Sequence, residues 1–74
     1  MELVIIHRCF AALKKNVAHL MSNITKIEFE GDVVVLRGQT LRFYDLQIIQ
    51  ATVLPEIHKH GLTLRNMIEV KPRS

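Results

Sequence analysis

The sequence predicts a two-layer α+β domain in the order α-β-β-α-β, a three-stranded mixed sheet with two helices packed on one face. Three observations carry this expectation. Apolar residues recur at helical spacing in two segments, strict alternation replaces that spacing elsewhere, and a glycine-first dipeptide joins the two middle alternating runs.

Residues 2–21 read as the first helix. Ile6, Phe10, Leu13, Val17 and Leu20 follow at spacings of four, three, four and three, with Lys14, Lys15 and Asn16 opposite them. The β-branched run Val4-Ile5-Ile6 weakens the first turn, so the helix starts late or those residues are extended. Ser22-Asn23 supplies the break. Ile27 and Phe29 then point one way and Lys26, Glu28 and Glu30 the other. Gly31-Asp32 suits a type II′ hairpin turn into Val33–Arg37. That turn sets a register: Glu30 faces Val33, Phe29 faces Val34, and Ile27 faces Leu36. Gly38 ends the strand, where the backbone bends or approaches another segment closely.

The second helix spans 42–60, with Leu46, Ile49, Val53 and Ile57 as its buried stripe and Asp45 in the first turn, favourable to the helix dipole. Pro55 lacks a backbone donor and crowds the preceding turn, so a kink or break is expected near Leu54. His58, Lys59 and His60 followed by Gly61 mark its end. In 62–70, Leu62, Leu64, Asn66, Ile68 and Val70 share one side of a third strand. The residues 71–74 form a polar tail.

At 74 residues the chain is one domain, 1–74, and a domain of this size buries only about 60% of its unfolded surface. Cys9 is its only cysteine, which excludes an internal disulfide and a multi-cysteine zinc site. With 49% hydrophobic and 5% aromatic residues, the core is built of Ile, Leu and Val, and a homodimer is one way to complete it. The net charge of +3 becomes +7 if the four histidines are protonated, so attraction to phosphates strengthens in acid. The apolar run Leu3–Ile6 is too short for a signal peptide or a membrane span, so a cytoplasmic location is expected.

The far face of the sheet carries Lys26, Glu28, Glu30, Val33, Val35, Arg37, Arg65, Met67 and Glu69. Val33, Val35 and Met67 there make an apolar patch ringed by charge, read either as a contact surface or as strand formers on a solvated face.

Ile27 to Gly38, "IEFEGDVVVLRG", and Gly61 to Val70, "GLTLRNMIEV", together resemble a BON domain, the bacterial osmotic-stress and nodulation module. Val34, Leu36, Gly38, Gly61, Asn66, Ile68 and Val70 fall on that family's pattern, and the match covers roughly residues 3–70. Here the turn is Gly-Asp where the family often has Asn-Gly, and Pro55 is not part of the pattern. The resemblance implies an α/β binding module that attaches to phospholipid membranes or to other proteins, in stress response, often in exported chains. It brings no catalytic residue and no cofactor.

The chemistry of the side chains agrees with a non-enzyme. His7 and Cys9 lie two apart, about 200° round a helix, and His58 and His60 repeat that spacing. Glu28 and Glu30 share an exposed hairpin face with Arg37 diagonal to Glu28. No residue has an evident reason for a shifted pKa, and no metal site is expected. Nucleic acid is the weaker alternative: the pI near 9.4 permits it, but there is no GxxG loop and no row of exposed aromatics. For lipid, the candidate surface is the turn into the second helix, with Arg37, Thr40, Leu41, Arg42, Phe43 and Tyr44, where cations and amphipathic aromatics suit a bilayer interface. Arg8, Lys14 and Lys15 form a second basic surface. Phe43 or Tyr44 could instead cap the core. The alternative partner is a protein, or a second copy, held on the open sheet face. Gly31, Gly38, Gly61 and Asn66 are structural.

Overall fold

The computed structural model describes residues 1–72; of the tail, Lys71 and Pro72 are described and 73–74 lie outside the described residues. Helix α1 (Glu2–Val17) passes through a 3-10 segment (Ala18–Asn23) into β1 (Ile24–Glu30); β2 (Val33–Thr40), α2 (Phe43–Lys59) and β3 (Thr63–Val70) follow. The sheet order is β1-β2-β3, with β2 antiparallel to β1 and parallel to β3. The α-β-β-α-β domain with a mixed three-stranded sheet is therefore the fold of this chain.

The hairpin register is as the alternation requires: Glu30 opposite Val33, Phe29 opposite Val34, Ile27 opposite Leu36. Gly31 has φ 64 and Asp32 is not at positive φ, the II′ requirement rather than the I′ one. Gly38 does not end β2, which continues to Thr40. Its role is close approach: a Cβ built there overlaps the carbonyl oxygen of Asn23. A bulge at Thr25 shifts the β1 register beside it.

Helix α1 begins at Glu2, so the β-branched run is helical, and it ends at Val17, well before Ser22-Asn23. Its buried stripe is Ile5, Cys9, Leu13 and Val17, with Ile6 and Phe10 half-buried at the flank. An apolar sector about 140° wide holds both sets. The centre falls where α1 leans on α2, and there the short Cys9 side chain fits and Phe10 does not.

Helix α2 buries Ile49, Val53 and Ile57, with Leu46 half-buried. It runs through Pro55 without the expected break. The prolyl ring is on the exposed side, and the carbonyl it leaves without an N–H, that of Ala51, is on an exposed residue where water can serve it. The helix ends in a Schellman motif: Leu62 N–H donates to Ile57 O at 3.2 Å and Gly61 N–H to His58 O at 3.0 Å, with Gly61 at φ 70. Asn66 ties β3 to this helix, its Nδ2 donating to Gln50 Oε1 at 2.9 Å. Val34, Leu36 and Ile68 close the core from the sheet side.

Candidate binding surface

Thr40 is buried, and its hydroxyl donates to the Arg42 carbonyl at 3.0 Å. The same carbonyl accepts the first helical bonds of α2, from Asp45 N–H at 3.2 Å and Leu46 N–H at 3.4 Å. The turn Leu41–Arg42 is thus held from both sides. From it Leu41, Phe43 and Tyr44 project, 49%, 61% and 62% exposed. Neither aromatic belongs to the core or packs on it, so the capping alternative is not what the chain does.

The two arginines of this surface are separated. Arg42 is clamped to Asp45, Nε to Oδ2 at 3.1 Å and Nη2 to Oδ1 at 2.8 Å, and lies 5.9 Å from the Tyr44 ring centroid. The hydrogen bond to Asp45 raises the guanidinium pKa further. Asp45, read from the sequence only as a dipole partner, is buried beneath this clamp; the i, i+3 spacing to Arg42 was the available signal. Arg37 is on the other face of the sheet and does not join Arg42, Phe43 and Tyr44. It alternates with the core residues Val34 and Leu36, and Nε donates to Glu28 Oε1 at 2.8 Å.

That outer face is a ladder of charge. Lys26 meets Glu28 at 3.1 Å, Arg37 reaches Glu30 at 4.0 Å, and Arg65 meets Glu30 at 3.4 Å. Hydrogen bonds from Arg37 and then Lys26 hold the Glu28 carboxyl below its ordinary range, and the Glu28 bond raises the Arg37 pKa. The Arg37–Glu28 pair is the diagonal contact the alternation places there; that it shifts both groups, with Lys26 adding to it, goes beyond what the sequence shows. Val35 is fully buried in the middle of the ladder, Val33 is half-buried, and Met67 is 47% exposed. The three do not form an open apolar patch.

A feature the sequence reading passed over is a shallow groove on α1 lined by Leu3, Val4, His7, Arg8 and Ala11. The i, i+4, i+8 spacing of Leu3, His7 and Ala11 was its signal. Arg8 itself reaches Glu56 of α2 at 3.6 Å, and His60 meets the same carboxylate at 3.3 Å. His7 is exposed while Cys9 is buried on the same helix, so the two do not meet. Burial pushes the Cys9 thiol up to about 11, with Glu56 adding to the effect, which makes it a poor nucleophile at neutral pH. Among the described residues no cluster of three or more His, Cys, Asp or Glu could hold a metal ion, and no helix is long and apolar enough to cross a membrane.

No family model matches this chain, and neither any curated protein nor any solved structure does.

Proposed function

We propose that the chain is a non-enzymatic binding module, similar in its motifs to BON domains, that attaches to phospholipid surfaces through the Leu41–Tyr44 tip. The observation that supports this reading is the exposure of Leu41, Phe43 and Tyr44 together on a turn pinned by buried Thr40 and the Arg42–Asp45 clamp. Exposed aromatics on a held turn enter an interfacial layer without paying to order a loop, and each apolar side chain contributes roughly 1.5–3 kcal/mol when fully buried.

Charge plays the smaller part. Arg42 is engaged by Asp45, and Arg37 lies on the opposite face of the sheet. Exposed Lys14 and Lys15 lie in the last turn of α1. The chain that follows them, the 3-10 segment, ends beside β2, where Asn23 Nδ2 donates to Gln39 O at 2.8 Å. Near an anionic surface each such lysine adds about 1 kcal/mol.

Co-sedimentation with anionic and neutral liposomes at two salt concentrations tests the reading. Phe43→Ser with Tyr44→Ser should lower binding to anionic vesicles at least tenfold, while Arg37→Gln leaves it unchanged. Unaltered binding in the double variant discredits the tip. No pelleting of the unmodified chain in any condition turns the reading to a protein partner.

A further inference from the structure

We infer that β3 is a self-pairing edge, so that a second copy of this chain adds antiparallel to it, Met67 on the two-fold axis, and joins the two sheets into one of six strands. The inference rests on the backbone and is independent of the lipid reading.

Thr63 N–H donates to Asp32 O at 3.1 Å and Lys71 N–H to Thr40 O at 2.8 Å, both across to the β2 side. Peptide groups alternate along a strand, so the odd residues of β3 bond to β2 and the even ones, Leu64, Asn66, Ile68 and Val70, point their N–H and C=O out of the sheet. An antiparallel partner must set even residues opposite even residues. The two-fold axis therefore passes through a residue, and only a few positions exist.

Charge decides among them. On Met67, Arg65 faces Glu69 of the other copy, twice by symmetry, and Met67 faces itself. These are the non-hydrogen-bonded pairs, in which side chains stand closest. On the core face Leu64 then meets Val70. An axis on Arg65 or Glu69 sets identical charges opposite each other, one on Ile68 sets Arg65 against Lys71, and one on Asn66 leaves Arg65 against Met67. Arg65 and Glu69 are exposed, and Met67 between them is 47% exposed. Their own-chain partners are weak surface contacts, Glu30 at 3.4 Å and Lys71 at 3.6 Å.

The other edge is less regular: β1 carries the Thr25 bulge, which interrupts its run of outward backbone groups. One local bond opposes pairing: Asn66 Oδ1 accepts from Ile68 N–H at 2.9 Å, a donor the partner strand needs. It tunes the association toward weak and concentration-dependent.

Sedimentation equilibrium from micromolar to millimolar chain, with circular dichroism to check folding, tests this. The unmodified chain should dimerise. Arg65→Glu alone and Glu69→Arg alone should each weaken the dimer at least tenfold, since each creates two like-charge pairs, and the double swap should restore it to within about threefold. Arg65→Glu loses the Arg65–Glu30 contact both alone and in the swap, so rescue reports the intermolecular pair. A chain monomeric throughout the range, a dimer indifferent to the single changes, or a failure of the swap to rescue overturns the inference.

Discussion

Gly38→Ala isolates the close approach on which the hairpin and the 3-10 segment meet. The new Cβ overlaps the carbonyl oxygen of Asn23 and lies 3.1 Å from that residue's carbonyl carbon and from Ile24 Cα. All three are backbone atoms, so no side chain can swing aside. β2 cannot yield either, since it is the central strand and bonds to both neighbours. Overpacking costs about 1–3 kcal/mol, and here the upper end applies, because the strand or the segment must move as a unit. At about 0.05–0.15 kcal/mol per residue the whole chain is worth roughly 4–11 kcal/mol. About 3 kcal/mol is then a large share, and at about 4–8 °C per kcal/mol the Tm falls by about 12–24 °C. Gly61→Ala is the control: nothing lies within 4 Å of its Cβ, and only the strain of φ 70 is felt, about 1–2 kcal/mol. Thermal unfolding followed by circular dichroism gives both numbers. If Gly38→Ala melts no lower than Gly61→Ala, the steric argument is wrong.

Two pH effects follow from named groups. Glu28 has a depressed pKa in the folded chain, so its contribution is present above the ordinary carboxylate range and lost as pH falls through the folded value; acid titration of Glu28→Gln should show a shallower loss than the unmodified chain, and an identical profile removes Glu28 from the account. Cys9 is raised from 9.0 to about 11, so the unfolded chain loses its proton first and stability falls as pH rises from about 9 to 11. Cys9→Ala should remove that alkaline slope, and the native thiol should react with a disulfide reagent at pH 8 only as fast as the chain opens; rapid labelling without unfolding contradicts the burial.

The hairpin was legible because two local rules agreed on it. Alternation in phase on both sides of Gly31-Asp32 leaves one register that buries Ile27, Val34 and Leu36 together with Phe29 half-buried beside them. The stripe of α1 was legible only as a sector. Helical spacing places Ile6 and Phe10 on the stripe, whereas which residues of the sector are most buried is set by how closely α2 approaches, which the sequence of α1 does not contain. The surface was least legible. Val35 is on the outward side of its strand and is nonetheless fully buried, because Glu28 on β1 and Arg65 on β3 flank it and Arg37 spans the ladder. Long charged side chains cover apolar neighbours with their stems, and which neighbours they cover depends on register across three strands. Arg37 and Arg42 looked like one basic surface for the same reason: five residues apart in the chain, they leave opposite sides of the sheet.

The tip and the β3 edge constrain each other. Lys71 N–H bonds to Thr40 O, so the carboxyl end of β3 is beside the turn that carries Leu41, Phe43 and Tyr44. In an antiparallel β3 pair centred on Met67 the two carboxyl ends point opposite ways, about 20 Å apart along the strands at ~3.3 Å per residue. Tips that enter a bilayer along their own strand directions face away from each other, and the dimer then bridges two vesicles. At concentrations where it dimerises, the unmodified chain should cluster anionic vesicles, read as a rise in scattering, while Arg65→Glu and Glu69→Arg bind without clustering. These two changes move the net charge in opposite directions, so a shared loss of clustering cannot be electrostatic attraction to lipid. Equal clustering by Arg65→Glu and Glu69→Arg at concentrations where they are monomeric would show that the β3 pair is not the bridge.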